Sequence, residues 1–178
     1  NHNGSIERAR ALVQAAAEAG ADAVKFQAFR AEALVAEGAP KAEYQEATTD
    51  PAESQAEMLR KLELGQEQHQ ALAEHCVDRG IQFLSTPFDA QSARWLAEEI
   101  EVPRLKVGSG ELTNGPFLLH VARLGCPTVL STGMATIGEV ERALSVLAFG
   151  YLEAEGRPTR EALGRALASD AGQEALEE

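Results

Sequence analysis

The sequence predicts an α/β fold of the (β/α)8 TIM-barrel type, present as a partial barrel of about four strands with their helices. Helical patterns and short apolar strand patterns alternate along the chain, and this alternation implies parallel strands joined by crossover helices. Polar residues follow each strand pattern, as the mouth of such a barrel requires. No single glycine-rich loop follows the first strand pattern, which disfavours an open sheet built to bind a nucleotide.

The composition excludes several classes of protein. The chain has 178 residues with 44% apolar and 25% charged side chains, which is ordinary for a globular protein. Its net charge of −12 argues against a nucleic-acid-binding surface, and no apolar run reaches the length of a membrane helix. We therefore expect neither nucleic acid nor membrane as a partner. Cys76 and Cys126 lack metal-like spacing and are expected to be reduced core thiols of a cytoplasmic protein.

The first helix and strand are followed by an unusually long connection. Ser5 is a candidate N-cap, apolar residues at helical spacing follow it, and Gly20 is the expected stop. The run "DAVKFQAF" then predicts a strand. Residues 30–65 are too many for an ordinary connection, so this stretch is either functional or carries short helices of its own.

Three more pairs of a helix and a strand complete the pattern. The predicted helices span 66–79, 90–99 and 115–124, and the strands after them are "IQFLSTPF", "RLKVGSGE" and "PTVLSTGM". A fifth helix is predicted from 137 to about 147. Residues 1–150 are therefore the expected partial barrel, and residues 151–178 are an expected helical insertion with a solvated face.

Two lysines stand within strands that are otherwise largely apolar. Burying an unpaired ammonium is costly, so Lys25 and Lys106 either reach water, pair with an acid such as Asp22 or Glu111, or bind an anion. Because both lie at equivalent points of their strands beside hydroxyl residues, we favour a small anion that carries a phosphate and a carboxylate. The polar residues at the strand ends are Lys25, Gln27, Ser85, Thr86, Lys106, Ser109, Glu111, Ser131 and Thr132.

The segment "GSGE" follows the third strand pattern and carries two glycines. Strict alternation along a strand would point Ser109 and Glu111 away from Lys106. Gly108 and Gly110 permit a bulge or a turn that redirects both side chains into one pocket, and a plain strand-to-loop turn is the alternative. Glu111 is then a candidate base, or a carboxylate that orients sugar hydroxyls or a water. Its alternative role is a negative charge at the N-terminus of the next helix.

The histidines and the single large aromatic residues give weaker signals. No histidine has a partner at metal-ligand spacing, so we expect structural or surface roles for them and no metal site within this chain. Trp95 and Tyr44 are expected to pack in the core or in a loop. The histidines are His2, His69, His75 and His120.

Seven short motifs, in their order and spacing, resemble the sialic acid synthase family, which includes N-acetylneuraminate synthases and their legionaminate and spore-coat polysaccharide relatives. The motifs are "NHNGS", "ADAVKFQAF", "APKAEYQ", "EMLRKLEL", "GIQFLSTPFD", "KVGSGELTN" and "VLSTGMAT". The resemblance covers almost all of residues 1–150. It implies a (β/α)8 barrel, usually followed by a small antifreeze-like domain, and a homodimer with exchanged domains when the protein is full length.

The resemblance also implies a reaction. Phosphoenolpyruvate would supply its C3 carbon to the aldehyde of an N-acetylated amino sugar, typically N-acetylmannosamine, and a divalent ion (manganese or magnesium) would polarise that aldehyde. Water would then attack C2 and phosphate would leave, giving a nonulosonic (sialic) acid. A legionaminate synthase that uses a diacetamido-trideoxy hexose is the alternative. A non-catalytic binding barrel, or another barrel synthase that condenses phosphoenolpyruvate with a sugar phosphate, is less favoured.

The same resemblance assigns roles to Phe88 and to most of the polar residues named above at the strand ends. Lys106 and Glu111 match catalytic positions of the family, and Lys106 also matches a lysine that contacts phosphoenolpyruvate. The other matches are to substrate-binding positions: Lys25, Thr86, Ser109 and Ser131 for phosphoenolpyruvate and its phosphate, and Gln27 and Phe88 for the sugar.

Several parts of the family pattern fall outside this sequence. They are the strand that normally leads into "NHNG", the two metal-binding histidines, the second half of the barrel and the antifreeze-like domain. We therefore expect the metal ligands to lie outside this chain, and we expect the chain to be a fragment that is inactive alone. The insertion at 151–178 resembles a segment that only some members of the family carry.

Overall fold

Helices and strands alternate along the chain in the computed structural model, which describes residues 2–36, 39–41, 49–50, 53–153 and 155–177. The strands are β1 (Ala23–Ala28), β2 (Gln82–Pro87), β3 (Leu105–Val107) and β4 (Thr128–Leu130). They lie in one sheet in the order β1-β2-β3-β4, and β3 is parallel to both β2 and β4. By contact density the chain divides into two compact units, Asn1–Phe83 and Leu84–Glu178.

The first unit begins with the helix that the sequence predicts. Among its described residues, the helices are α1 (Ile6–Glu18), α2 (Ala31–Leu34), α3 (Gln55–Leu62) and α4 (Gln66–Asp78). Ser5 caps α1 as expected, because its hydroxyl oxygen accepts a hydrogen bond from the Arg8 backbone amide at 3.2 Å. Helices α2 and α3 lie in the long connection after β1, which confirms that this stretch carries short helices. Tyr44 lies outside the described residues.

Gly4 shows why the segment "NHNG" ends in glycine. Its φ angle is +76°, a left-handed conformation that costs most residues free energy but glycine little. A Cβ atom at this position would also overlap the backbone carbonyl of Lys61, at the end of α3. Glycine is therefore required here both by the backbone conformation and by the close approach of α3.

The second unit carries the remaining helices. They are α5 (Ala90–Glu98), α6 (Gly115–Arg123), α7 (Ile137–Leu152), α8 (Arg160–Ala168) and α9 (Asp170–Glu177), with a short 3-10 turn at Ser109–Glu111. Helix α7 is longer than predicted, since it ends at Leu152 and not near residue 147. The reason is tertiary: Ala148 and Phe149 are fully buried against Ala162 and Ala166 of α8, and this packing favours another turn of helix.

Two glycines in helices of this unit provide a matched test of the packing. A Cβ atom at Gly150 of α7 would stand 2.5 Å from the Cβ of Ala122 on α6, whereas one at Gly164 of α8 would meet nothing within 4 Å. We expect Gly150→Ala to lower the free energy of unfolding by roughly 1–3 kcal/mol through overpacking. Gly164→Ala should instead raise it by up to about 1 kcal/mol, since alanine favours the helix. Urea unfolding measures both changes, and a Gly150→Ala variant as stable as the unmodified protein would contradict the packing of α6 on α7.

Candidate active site

The ammonium of Lys106 is held at the carboxyl ends of two neighbouring parallel strands. Its Nζ donates a hydrogen bond to the Ser131 hydroxyl oxygen at 2.6 Å and another to the Val107 carbonyl oxygen at 2.8 Å. Lys106 pairs in register with Val129 of β4, so Ser131, two residues further, belongs to the same face of the sheet. The predicted meeting of Lys106 with a hydroxyl of the adjacent strand end is therefore present in the structure.

Ser109 lies beside the loop that follows β4. A Cβ atom at Gly133 would stand 3.7 Å from the Ser109 hydroxyl oxygen, which places that hydroxyl next to the loop backbone. Cβ atoms built at Gly108 and Gly110 would meet nothing within 4 Å, so the surface beside them is open. We call Lys106, Ser109 and Ser131 the anion cluster, because a cation and two hydroxyls at one end of β3 and β4 suit a small anion.

The connection after β3 is a turn rather than a bulge. Gly108 has a φ angle of −70°, and the residues after it form the 3-10 turn at Ser109–Glu111. This turn carries Glu111 towards α6, where the side-chain Nδ2 of Asn114 donates a hydrogen bond to the Glu111 carboxylate at 2.7 Å. The N-cap of α6 is Asn114 itself, so Glu111 contacts the capping side chain.

At the end of β2, Thr86 and Ser85 lie on opposite faces of the sheet, and Thr86 is on the face that carries Lys106. Ser85 is in register with the buried Leu105, so Thr86, one residue later, shares its face of the sheet with Lys106. Thr86 is 4% exposed. Ser85 is fully buried on the opposite face, and its hydroxyl meets no hydrogen-bonding partner among the residues that the structure describes. Phe88 follows the strand directly and is half-buried.

In the first unit, Lys25 and Gln27 share one face of β1. Both are exposed, and they alternate with Phe26 and Ala28, which are buried. Exposed and buried residues thus alternate along β1, as expected for a strand with one face packed in the core. The grouping of these two residues with the anion cluster stays a prediction.

His69 is a buried residue whose contacts the sequence pattern did not specify. It is 2% exposed on α4, and its two ring nitrogens lie 3.1 Å from the Gly65 carbonyl oxygen and 3.2 Å from the Gln27 carbonyl oxygen. The expectation of a structural role is confirmed for this histidine. Its spacing from Leu72 and Cys76, both buried on the same helix, is the signal that marks it as a core position. His69 also affects a second histidine: partial burial and the charge of the neighbouring His69 lower the pKa of His2.

The described part of the chain brings no three His, Cys, Asp or Glu side chains together in a group that could hold a metal ion. The anion cluster itself offers an ammonium and hydroxyls, which are poor ligands for a divalent cation. Cys76 and Cys126 are free thiols and both are buried, and burial raises the pKa of Cys76 to about 11. Within the same described ranges, every helix is too short or too polar to cross a membrane.

Comparison with known proteins identifies the family. The sequence profile of the NeuB family matches residues 12–168. Two relatives named N,N'-diacetyllegionaminic acid synthase, from Campylobacter jejuni and Legionella pneumophila, are each 47% identical over 147 residues, or 83% of this chain. The crystal structure of an N-acetylneuraminic acid (sialic acid) synthetase from Leptospira borgpetersenii in complex with citrate matches 85% of this chain with 30% identity and a TM-score of 0.72.

Parallel strands joined by helices place the chain in the α/β class. The overlap with the Leptospira synthetase confirms the predicted TIM-barrel-type fold, of which this chain holds a part. The chain belongs to the NeuB family. It spans 44% and 41% of the lengths of the two legionaminic acid synthases and 48% of the Leptospira chain, so it corresponds to less than half of these relatives.

Proposed function

We propose that the whole protein containing this chain condenses phosphoenolpyruvate with an N-acetylated amino sugar and water, giving a nonulosonic acid and phosphate. The observation that carries this proposal is the anion cluster, in which Lys106 Nζ lies 2.6 Å from the Ser131 hydroxyl oxygen on the neighbouring strand. A fixed ammonium beside hydroxyl donors is suited to a phosphate monoester. The names of the relatives support the same reaction class.

The residues of this chain would bind and orient the donor. Lys106 balances the negative charge of phosphoenolpyruvate, and Ser109, Ser131 and Thr86 donate hydrogen bonds to its phosphate oxygens. C3 of phosphoenolpyruvate then forms a bond to the aldehyde carbon, whose oxygen takes up a proton. Water adds to C2, and phosphate leaves with its bridging oxygen. Glu111 accepts the proton of that water or a hydrogen bond from a sugar hydroxyl.

The remaining assignments are part of the same proposal. Lys25 binds phosphoenolpyruvate, and Gln27 and Phe88 line the sugar site, as the family resemblance implies. We further propose a cytoplasmic homodimer whose divalent ion, manganese or magnesium, is bound by residues outside this chain. No step above is assigned to that ion.

For the acceptor, we favour a diacetamido-trideoxy hexose over N-acetylmannosamine. The two legionaminic acid synthases share 47% of their residues with this chain across the matched region, whereas the Leptospira sialic acid synthetase shares 30%. N-acetylmannosamine is the second candidate because the Leptospira structure overlaps with the described fold at a TM-score of 0.72.

Phosphate release tests the proposed function. The full-length protein, given phosphoenolpyruvate and manganese, is expected to release phosphate with the diacetamido sugar at a higher kcat/KM than with N-acetylmannosamine. Omission of either substrate should abolish release, and the 178-residue chain alone should release none. Preference for N-acetylmannosamine would overturn the acceptor assignment. No release with either sugar, from a folded protein that binds manganese, would favour a binding role or another barrel synthase.

A further inference from the structure

Asn114 makes two different hydrogen bonds with its side-chain amide. Its Oδ1 accepts a hydrogen bond from the backbone amide of Phe117 at 3.2 Å, which caps α6. Its Nδ2 donates a hydrogen bond to the Glu111 carboxylate at 2.7 Å. The backbone amide of Asn114 also donates to the Glu111 carbonyl oxygen at 2.9 Å, so the two residues are joined through both main chain and side chain.

The two partners of the amide fix its orientation. The Phe117 amide can only donate, so it requires the oxygen of Asn114, and an ionised carboxylate can only accept, so Glu111 requires the nitrogen. An amide flipped by 180° would lose both bonds. The side chain of Asn114 therefore donates one hydrogen bond and accepts another, and it links the Glu111 carboxylate to the N-terminus of α6.

Capping alone does not account for an asparagine at this position. Serine, threonine and aspartate cap helices about as well, and they do so elsewhere in this chain. Among the described residues, the other side-chain caps are Ser5, Ser54, Asp89, Thr136, Thr159 and Ser169. What asparagine adds is an amide donor that can reach Glu111 while its oxygen serves the cap.

We propose that Asn114 is a positioning residue, which holds Oε2 of Glu111 so that the other carboxylate oxygen meets the attacking water or a sugar hydroxyl. This role rests on the proposed function, since it acts through Glu111. A glutamate side chain has three rotatable bonds, and a hydrogen bond that one of its oxygens accepts at a helix end restricts that freedom before the substrate binds.

The decisive variant is Asn114→Asp in the full-length protein. Aspartate has nearly the same shape and caps equally well, but while ionised it cannot donate to Glu111. We expect kcat to fall about tenfold, because a carboxylate that is no longer held in place meets the reacting group less often in the productive geometry. The KM for phosphoenolpyruvate should stay unchanged, and the melting temperature should fall only slightly, because the new carboxylate repels Glu111 at an exposed position. The deficit should shrink as the pH falls, because the introduced carboxyl group then carries a proton that it can donate.

The matched control is Thr159→Ala, which removes the cap of α8 and should lower stability while leaving kcat unchanged. Asn114→Asp is also introduced into a Glu111→Ala background, where it should cause no further loss. Wild-type kcat in Asn114→Asp, or an equal loss in both backgrounds, would overturn the positioning role. Absence of phosphate release from the unmodified protein would instead overturn the proposed function, and the two failures are therefore distinct.

Discussion

Lys106→Ala in the full-length protein should lower kcat/KM for phosphoenolpyruvate by a hundredfold or more. The Lys106 ammonium is half-buried and fixed by the Ser131 hydroxyl at 2.6 Å and the Val107 carbonyl at 2.8 Å. In the proposed complex Lys106 pairs with the anionic phosphoenolpyruvate. Removing one partner of such a hydrogen-bonded charge pair costs about 3 kcal/mol, which corresponds to roughly a hundredfold. Most of the loss should appear as a raised KM for phosphoenolpyruvate, measured by initial rates of phosphate release.

Two further variants identify the cause of that loss. Lys61→Ala removes an ammonium that is 72% exposed and paired with Glu53, so it should leave the kinetics unchanged and controls for net charge. Ser131→Ala removes one neutral hydroxyl beside Lys106 and should cost about 1 kcal/mol, or less than tenfold. If Lys106→Ala retained the wild-type KM, phosphoenolpyruvate would not bind at the anion cluster.

The regular elements could be predicted because their signals are local. Ser5 and Thr136 each precede an apolar helical pattern, and both cap their helices in the structure. The end of α7 could not be predicted in the same way. The prediction ended this helix near residue 147, whereas the buried contact of Phe149 with α8 and the close fit of Gly150 on Ala122 stabilise the helix as far as Leu152.

Of the predicted site, the contact between Lys106 and Ser131 could be derived from the sequence, whereas the other contacts of these residues could not. Lys106 and Ser131 could be placed together from parallel pairing alone, since both follow the ends of neighbouring strands. The strand pattern alone did not distinguish Ser85 from Thr86, although the family resemblance selected Thr86. The register with Leu105 shows that Thr86 shares the face of Lys106. The predicted helix over 115–124 begins beside Asn114, but a helix start does not reveal a second hydrogen-bonding partner for that side chain.

Glu111→Gln should lower kcat by about 100- to 10,000-fold, the contribution typical of a positioned acid or base. Glutamine keeps the shape of the side chain, and its amide oxygen can still accept the hydrogen bond that Asn114 donates at 2.7 Å. The substitution therefore removes the charge and the proton-accepting ability of Glu111 and leaves its position unchanged. The KM for phosphoenolpyruvate should stay near the wild-type value, in contrast to Lys106→Ala.

This variant separates two roles that the geometry leaves to Glu111. If the carboxylate accepts a proton from the attacking water, Glu111→Gln fails in the chemical step although both substrates bind. If it only orients a sugar hydroxyl, the amide oxygen of glutamine does the same, and kcat falls by less than tenfold while the sugar KM rises. Glu139→Gln is the matched control, because Glu139 belongs to the capping box of α7, in which glutamine serves as well as glutamate. A large loss of kcat in Glu111→Gln and none in Glu139→Gln would assign the proton transfer to Glu111.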